Sequence, residues 1–175
     1  LYCAFRASNR TLPRRALDSG EIAEEVRHLL RQGHKRVLLV SGEAYPREGL
    51  DYILRAIRTV YATRLGPGEI RRLNVNIAPL SVESFRRLAG EGIGTYQLFQ
   101  ETYHRETYTA MHLRGAKADF QGRLGVMDRA MTAGLDDVDE LDRPHLLATE
   151  ANRLDERVAW VGRDHQGLSR RCLVR

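Results

Sequence analysis

The sequence predicts an α/β fold, a partial (β/α) barrel of parallel strands with outer helices. Two observations carry this. From residue 18 to residue 138, short apolar stretches alternate with amphipathic stretches at helical spacing. One of the apolar stretches, Val37-Leu38-Leu39-Val40, is continuous, the pattern of a strand buried on both faces. A helix between two strands carries the chain back to the same end of the sheet, so successive strands pair in parallel. A complete (β/α)₈ barrel takes about 250 residues; 175 are present, and the barrel is expected to be incomplete at both ends. A doubly wound open sheet is the second architecture this alternation allows.

The elements follow in order. Asp18-Ser19 caps a helix whose apolar face is Ile22, Val26, Leu29 and Leu30, with a stop at Gly33. Residues 36–41 form the first strand. Leu50, Ile53, Leu54, Ile57, Val60 and Tyr61 recur at helical spacing until Gly66-Pro67-Gly68 breaks the pattern. The next strand covers 70–78, with Leu73, Val75 and Ile77 on one face. Pro79 and Ser81 lead into a short helix carrying Val82, Phe85 and Leu88, and three glycines (Gly90, Gly92, Gly94) separate it from a strand at 95–102. A loop to about residue 118 precedes a helix with Phe120, Leu124, Met127 and Met131, closed by Gly134. A last strand begins at Leu135.

After Val138 the pattern fails. Asp139, Glu140, Asp142 and Pro144 interrupt the apolar run, so the division is a core over 1–138 and a divergent tail over 139–175, within which 144–161 has one helical pattern through Leu146, Leu147, Leu154 and Val158. Hydrophobic residues make up 42% and charged residues 29%, the balance of a soluble globular protein. The apolar runs are far shorter than the ~20 residues that span a bilayer, so no membrane partner is expected. The chain opens on Leu1, so its natural start and any targeting signal are expected to lie outside it. Cys3 and Cys172 sit at opposite ends and make no disulfide framework, which points to a reducing cytoplasm.

The net charge is +5, and Lys35 and Lys117 are the only lysines among 28 basic residues. Many arginines lie beside or one turn from Asp or Glu, as on solvated helix faces. A non-enzymatic nucleic-acid binder stays open as an alternative, though it lacks a basic cluster interleaved with aromatics, and steep salt dependence of binding would mark it. A barrel enzyme acting on a phosphorylated substrate is a second alternative, and it lacks a glycine-rich phosphate loop. No nucleic-acid partner is therefore expected.

Chemistry in such folds gathers at the C-terminal ends of the strands. Those ends read Ser41-Gly42-Glu43, Asn76-Ile77-Ala78-Pro79 and Gln100-Glu101-Thr102-Tyr103-His104. Glu43 offers a carboxylate that accepts hydrogen bonds from an ammonium, and Gly42 lets backbone approach a ligand closely. Gln100, Glu101, Tyr103 and His104 pack an amide, a carboxylate, a phenol and an imidazole into five residues, and each buried polar group without a partner costs ~1–3 kcal/mol. A hydrogen-bonded loop network is the structural alternative for this cluster. His104 with Glu101 or His112 offers no third ligand at a spacing suited to zinc. Cys3, by itself, is one thiol.

Taken in order, several of these segments resemble the tyrosine lyase branch of the radical S-adenosylmethionine (SAM) superfamily, over about four-fifths of the chain. Leu1-Tyr2-Cys3 resembles the end of the family's C-x3-C-x2-C motif, and Phe5-Arg6-Ala7-Ser8-Asn9 follows it. Val40-Ser41-Gly42-Glu43, Phe99-Gln100-Glu101-Thr102-Tyr103-His104, Gly115-Ala116-Lys117-Ala118-Asp119-Phe120 and Asp128-Arg129-Ala130 come next in the family's order. Two types compete within the branch, the 2-iminoacetate synthases of thiamine synthesis and the HydG-type maturases of the [FeFe]-hydrogenase H-cluster. Gly33-His34-Lys35-Arg36, the run 71–80 and the run 133–138 are more similar to the maturases.

The resemblance implies a [4Fe-4S] cluster held by three cysteines, SAM bound to its open iron, and a 5′-deoxyadenosyl radical. It further implies L-tyrosine as substrate, cleaved at Cα–Cβ to p-cresol and dehydroglycine, with a ferredoxin or flavodoxin as electron donor. Cys3 would then be a cluster ligand, Tyr2 would lie against the adenine, and Gly42 and Glu43 would receive the methionine ammonium. Gln100, Glu101, Tyr103 and His104 would line the SAM and substrate side. The chain departs from the family in lacking two cluster cysteines, the first strand, the glycine-rich continuation after residue 138 and the second-cluster extension of the maturases. One thiolate cannot replace three, so the fragment is expected to be inactive alone.

Overall fold

A computed structural model describes residues 3–6, 8–43 and 48–141. Four strands form one sheet: β1 (Arg36–Val40), β4 (Arg72–Asn76), β5 (Tyr96–Phe99) and β6 (Val138–Leu141). Their order is β1-β4-β5-β6 and every pairing is parallel. The order follows the chain without reversal. A doubly wound sheet reverses at a switch point, whereas an arc of a barrel adds each strand beside the last. The sheet is thus the barrel arc that the alternation predicts.

Helix α1 (Ser19–Arg31) precedes β1, and between the strands run α2 (Leu50–Ala62), α3 (Val82–Ala89), α4 (Arg105–Met111), α5 (Phe120–Leu124) and α6 (Val126–Thr132). Asp18 opens α1 with a complete capping box: its carboxylate accepts from Glu21 N, and the Glu21 side chain accepts from Asp18 N. One face of the sheet is apolar. Val37, Leu39, Leu73, Val75, Ile77, Tyr96 and Leu98 join Val26, Ile53, Ile57, Phe85, Leu88 and Val126 of the helices in a single buried core. Phe85 and Tyr96 meet edge to face, ring centroids 4.8 Å apart, and the Tyr96 hydroxyl donates to Ile77 O at the end of β4.

The opposite face is polar. Arg72, Asn74 and Asn76 of β4 alternate with the core residues Leu73 and Val75. Arg72 pairs with Asp137, both meet the Thr95 hydroxyl, and the Asn74 amide oxygen accepts from Thr95 N at 3.0 Å. A cavity of ≈ 360 Å³ opens there, lined by Arg36, Arg72, Asn74, Gln97 and Asp139 among others. Gly94 is required beside it, since an added Cβ would lie 2.5 Å from the Asn74 oxygen.

The structure differs from the sequence expectation at several places. The strands expected over 70–78 and 95–102 are shorter, Arg72–Asn76 and Tyr96–Phe99, so that residues 100–102 follow β5 as a loop. Strand β1 buries Val37 and Leu39 but leaves Leu38 and Val40 half-buried, because the latter pair faces the polar concavity. Gly66-Pro67-Gly68 makes a small antiparallel hairpin of β2 (Arg64–Leu65) and β3 (Gly68–Glu69) instead of a plain break. The segment read as loop to 118 contains α4 and a 3₁₀ turn at Ala116–Ala118. The helix expected through Phe120 and Met131 divides at Gly125 into α5 and α6. Strand β6 starts at Val138, not Leu135, and stays in register with β5 as far as Phe99↔Leu141, three residues past the expected boundary. The tail helix expected over 144–161 and Cys172 lie outside the described residues.

Candidate functional site

Helix α1 leads into the start of β1, while α2, α3 and α4 follow the C-terminal ends of β1, β4 and β5, so all four begin on that rim. Glu43 stands three residues past β1, and Glu101 two past β5. Between them in the sheet is β4, so only long side chains join the two loops. Arg123 of α5 does this. Its side chain is 3% exposed; one nitrogen donates to Glu43 Oε1 at 2.6 Å, and Nε and a second nitrogen donate to Phe99 O at 3.0 and 2.8 Å. The Glu43 side chain is 26% exposed.

Lys117 completes the rim. Its ammonium lies 2.7 Å from Glu101 Oε1 and 4.0 Å from Glu43 Oε1. Two carboxylates and two cations alternate there as Arg123, Glu43, Lys117 and Glu101, with no net charge. Glu101 has φ 75°, and among the described residues it alone, apart from glycines, has positive φ. Such a conformation costs on the order of 1 kcal/mol for a residue with a Cβ and is kept where the surroundings hold it.

Gln100, next to it, is fully buried, and neither its amide nitrogen nor its amide oxygen has a hydrogen-bond partner among the described residues. Nearly all buried polar groups are satisfied. An enclosed, unpaired amide beside a charged rim therefore points to a partner that the described side chains do not supply.

Tyr103 is 46% exposed. His104 serves as the N-cap of α4, its Nδ1 accepting from Thr107 N at 3.3 Å and lying 2.8 Å from the Thr107 hydroxyl. Gly42 is open: an added Cβ would meet no atom within 4 Å. Cys3 is exposed, and the loop after it is knitted by Asn9 and Arg14, which donate to the carbonyls of Ala4, and of Phe5, Arg6 and Asn9. That segment enters the fold where the Tyr52 hydroxyl of α2 donates to Leu17 O, ahead of α1 and thus at the rim end. Tyr2 lies outside the described residues.

Behind the rim, Tyr108 is fully buried, packed between His112 (4.1 Å between ring centroids) and Phe120 (5.0 Å), and its hydroxyl donates to Lys117 O at 2.6 Å. Burial raises the Tyr108 pKa and lowers that of His112, the latter opposed by the ring's hydrogen bond to Tyr108 O. His112 therefore protonates less readily in the folded chain than at its ordinary 6.5, and protonation favours unfolding. Its stabilising contribution is complete above pH 6.5 and is lost as pH falls from there through the lowered folded value. Urea midpoints of the wild type are expected to drop across that window, and His112→Phe is expected to flatten the drop.

Lys117 lies in the run 115–120 that carries part of the resemblance but was given no role, and Arg123 and Tyr108 were not singled out from the sequence. Arg123 and Lys117 sit in stretches rich in charge, and nothing local distinguishes a buried guanidinium from a solvated one.

The radical SAM superfamily model matches residues 1–150. The chain is 36% identical over 137 residues to the 2-iminoacetate synthase of Salmonella typhimurium and 35% over 140 residues to that of Escherichia coli K12, in each case across 78% of this chain and 34% of the relative. Its fold superimposes on crystallised HydG, a maturase of the [FeFe]-hydrogenase, with TM-score 0.78 and 48% identity, over 81% of this chain and 31% of that one. HydG from Carboxydothermus hydrogenoformans gives TM-score 0.74 and 42% identity, over 81% and 32%. The chain thus spans about a third of the length of the relatives it matches. With a parallel barrel arc, acidic strand ends on one rim and a family match over most of its length, the chain belongs to the radical SAM superfamily.

Proposed function

We propose that this chain is part of a lyase that cleaves the Cα–Cβ bond of L-tyrosine to p-cresol and dehydroglycine, en route to carbon monoxide and cyanide for the [FeFe]-hydrogenase H-cluster. The observation that carries this reading is the part-exposed Glu43 carboxylate on the rim, fixed at 2.6 Å by Arg123, which is itself buried and held by Phe99 O. An α-amino acid is a zwitterion. Glu43, a part-exposed carboxylate fixed by the buried Arg123, offers a partner to its ammonium.

The family implies a [4Fe-4S] cluster and SAM. Cys3 would supply one thiolate to the cluster, and among the described residues it is the only cysteine, so these residues alone do not hold a cluster with three protein ligands. The methionine headgroup of SAM fits better: Glu43 takes the ammonium, Gly42 leaves room for it, and the orphaned Gln100 amide is an enclosed polar group in want of a partner. When bound, the cluster and SAM supply the radical chemistry; the chain's own residues orient the headgroup, balance its charge and keep water out. Glu101 and Tyr103 would line the same side, while His104, as a cap, would act by fixing the start of α4.

SAM and 5′-methylthioadenosine share a nucleoside and differ in the amino-acid headgroup and in the positive charge of SAM's sulfonium, so the Glu43→Gln comparison isolates the headgroup part. In calorimetric titrations of the full chain, SAM is expected to bind about tenfold more tightly, the value of one charge-assisted hydrogen bond. Glu43→Gln should remove most of that difference. Equal affinities in the wild type would reject the reading.

A 2-iminoacetate synthase of thiamine synthesis is the second reading, supported by the 36% and 35% identities. The 48% identity to HydG favours the first. The two share tyrosine cleavage, and trapping of released carbon monoxide separates them. A ferredoxin or flavodoxin donor and a cytoplasmic setting belong to either reading; no helix among the described residues is long and apolar enough to cross a membrane.

A further inference from the structure

Glu101 keeps a left-handed backbone at the mouth of the site, and something must hold it there. Its φ of 75° is unfavourable for a residue with a Cβ, and its side chain is 12% exposed. The contact that closes on it is the Lys117 ammonium at 2.7 Å. Lys117 is placed in turn by its backbone. The 3₁₀ turn that carries it begins at Gly115, φ 85°, and the turn is pinned where the buried Tyr108 hydroxyl donates to Lys117 O at 2.6 Å. Tyr108 itself is fixed by Phe120 and His112 on its two sides.

We propose that Lys117 is the positioning residue that holds Glu101 in its strained place on the rim, that Tyr108 positions Lys117, and that this arrangement sets the rim's affinity for an amino-acid headgroup. The proposal rests on the headgroup reading above and adds the device that keeps the rim preorganised. Lys117 also lies 4.0 Å from Glu43, so one ammonium moderates both carboxylates. Without it, two acids would face a single cation, Arg123, which is already engaged by Glu43 and Phe99 O. Glu101 would then be free to leave the left-handed region, and the rim would have to be reassembled at each binding event.

The test uses the full chain and two readouts. Hydrogen exchange is followed by mass spectrometry in peptides covering 99–104, with peptides covering 72–78 of the core as control. SAM is titrated in parallel. Lys117→Met is expected to speed exchange at 99–104 about fivefold, leave 72–78 unchanged and weaken SAM about tenfold. Lys117→Arg, which keeps the charge, should restore both to within about threefold, and Tyr108→Phe should give the same local change in weaker form. Unchanged exchange at 99–104 in Lys117→Met overturns the proposal whatever the affinities are. Faster local exchange with unaltered SAM affinity also overturns it, because Lys117 would then be shaping the loop without serving binding. Faster exchange at 72–78 as well would mark general destabilisation and count against it. A wild type that fails to distinguish SAM from 5′-methylthioadenosine overturns the headgroup reading itself, a result seen before any variant is compared.

Discussion

Arg123→Met is expected to destabilise the chain by about 3 kcal/mol, with loss of headgroup binding. Breaking a buried ion pair by removing one partner costs about 3–5 kcal/mol, because the other charge stays behind. Here the lower end applies: Glu43 keeps some access to water and has Lys117 at 4.0 Å. The Phe99 carbonyl also loses both guanidinium donors at the end of β5. Urea unfolding followed by circular dichroism reads the loss. In a double-mutant cycle, Glu43→Gln should cost far less in the Arg123→Met background than in the wild type, since the charge left unpaired is then absent. Equal costs in both backgrounds would show that the two side chains are not energetically coupled.

Phe85→Ala is expected to cost as much or more, about 3–5 kcal/mol, through cavity formation. Phe85 is fully buried, and its ring meets Tyr96 edge to face at 4.8 Å. The loss reaches the rim by a short route. Tyr96 uses its hydroxyl on Ile77 O, at the strand end between Glu43 and Glu101, and without Phe85 the Tyr96 ring has lost one wall. Phe85→Leu keeps most of the volume and should cost roughly 1–2 kcal/mol. A loss below about 1 kcal/mol for Phe85→Ala, in the same urea experiment, would mean that α3 does not pack on β5 as described.

The core was legible because it is periodic. Leu73, Val75 and Ile77 alternate, Ile53, Leu54, Ile57 and Val60 recur at helical spacing, and all seven are buried. The cap of α1 was legible for the same local reason, Asp18 accepting from Glu21 N, and Ser81, read only as leading into α3, accepts likewise from Ser84 N. The helix α4 was not. Arg105–Met111 holds one buried residue, Tyr108, and one apolar contact in seven residues leaves no stripe to detect. Nor was the division at Gly125, because Phe120, Leu124, Met127 and Met131 keep helical spacing across it. Leu124 and Met131 turn out to be exposed, and Arg123 takes the buried place instead.

The candidate site was legible as a set of strand ends. Polar residues following apolar strands named Gly42, Glu43 and the run Gln100 to His104, and parallel pairing placed the two ends on one rim. Which of them face one another was decided by tertiary structure alone. Glu101 came to Glu43 through Lys117, Gln100 was enclosed, Tyr103 was left at the surface, and His104 was taken by a helix start. The physical reason is one of range. Periodicity and capping are set by residues three or four apart, which the chain holds together whatever the fold. The Arg123–Glu43 contact joins residues 80 apart, and a guanidinium is drawn out of water only where folding brings a carboxylate and a carbonyl to it at once.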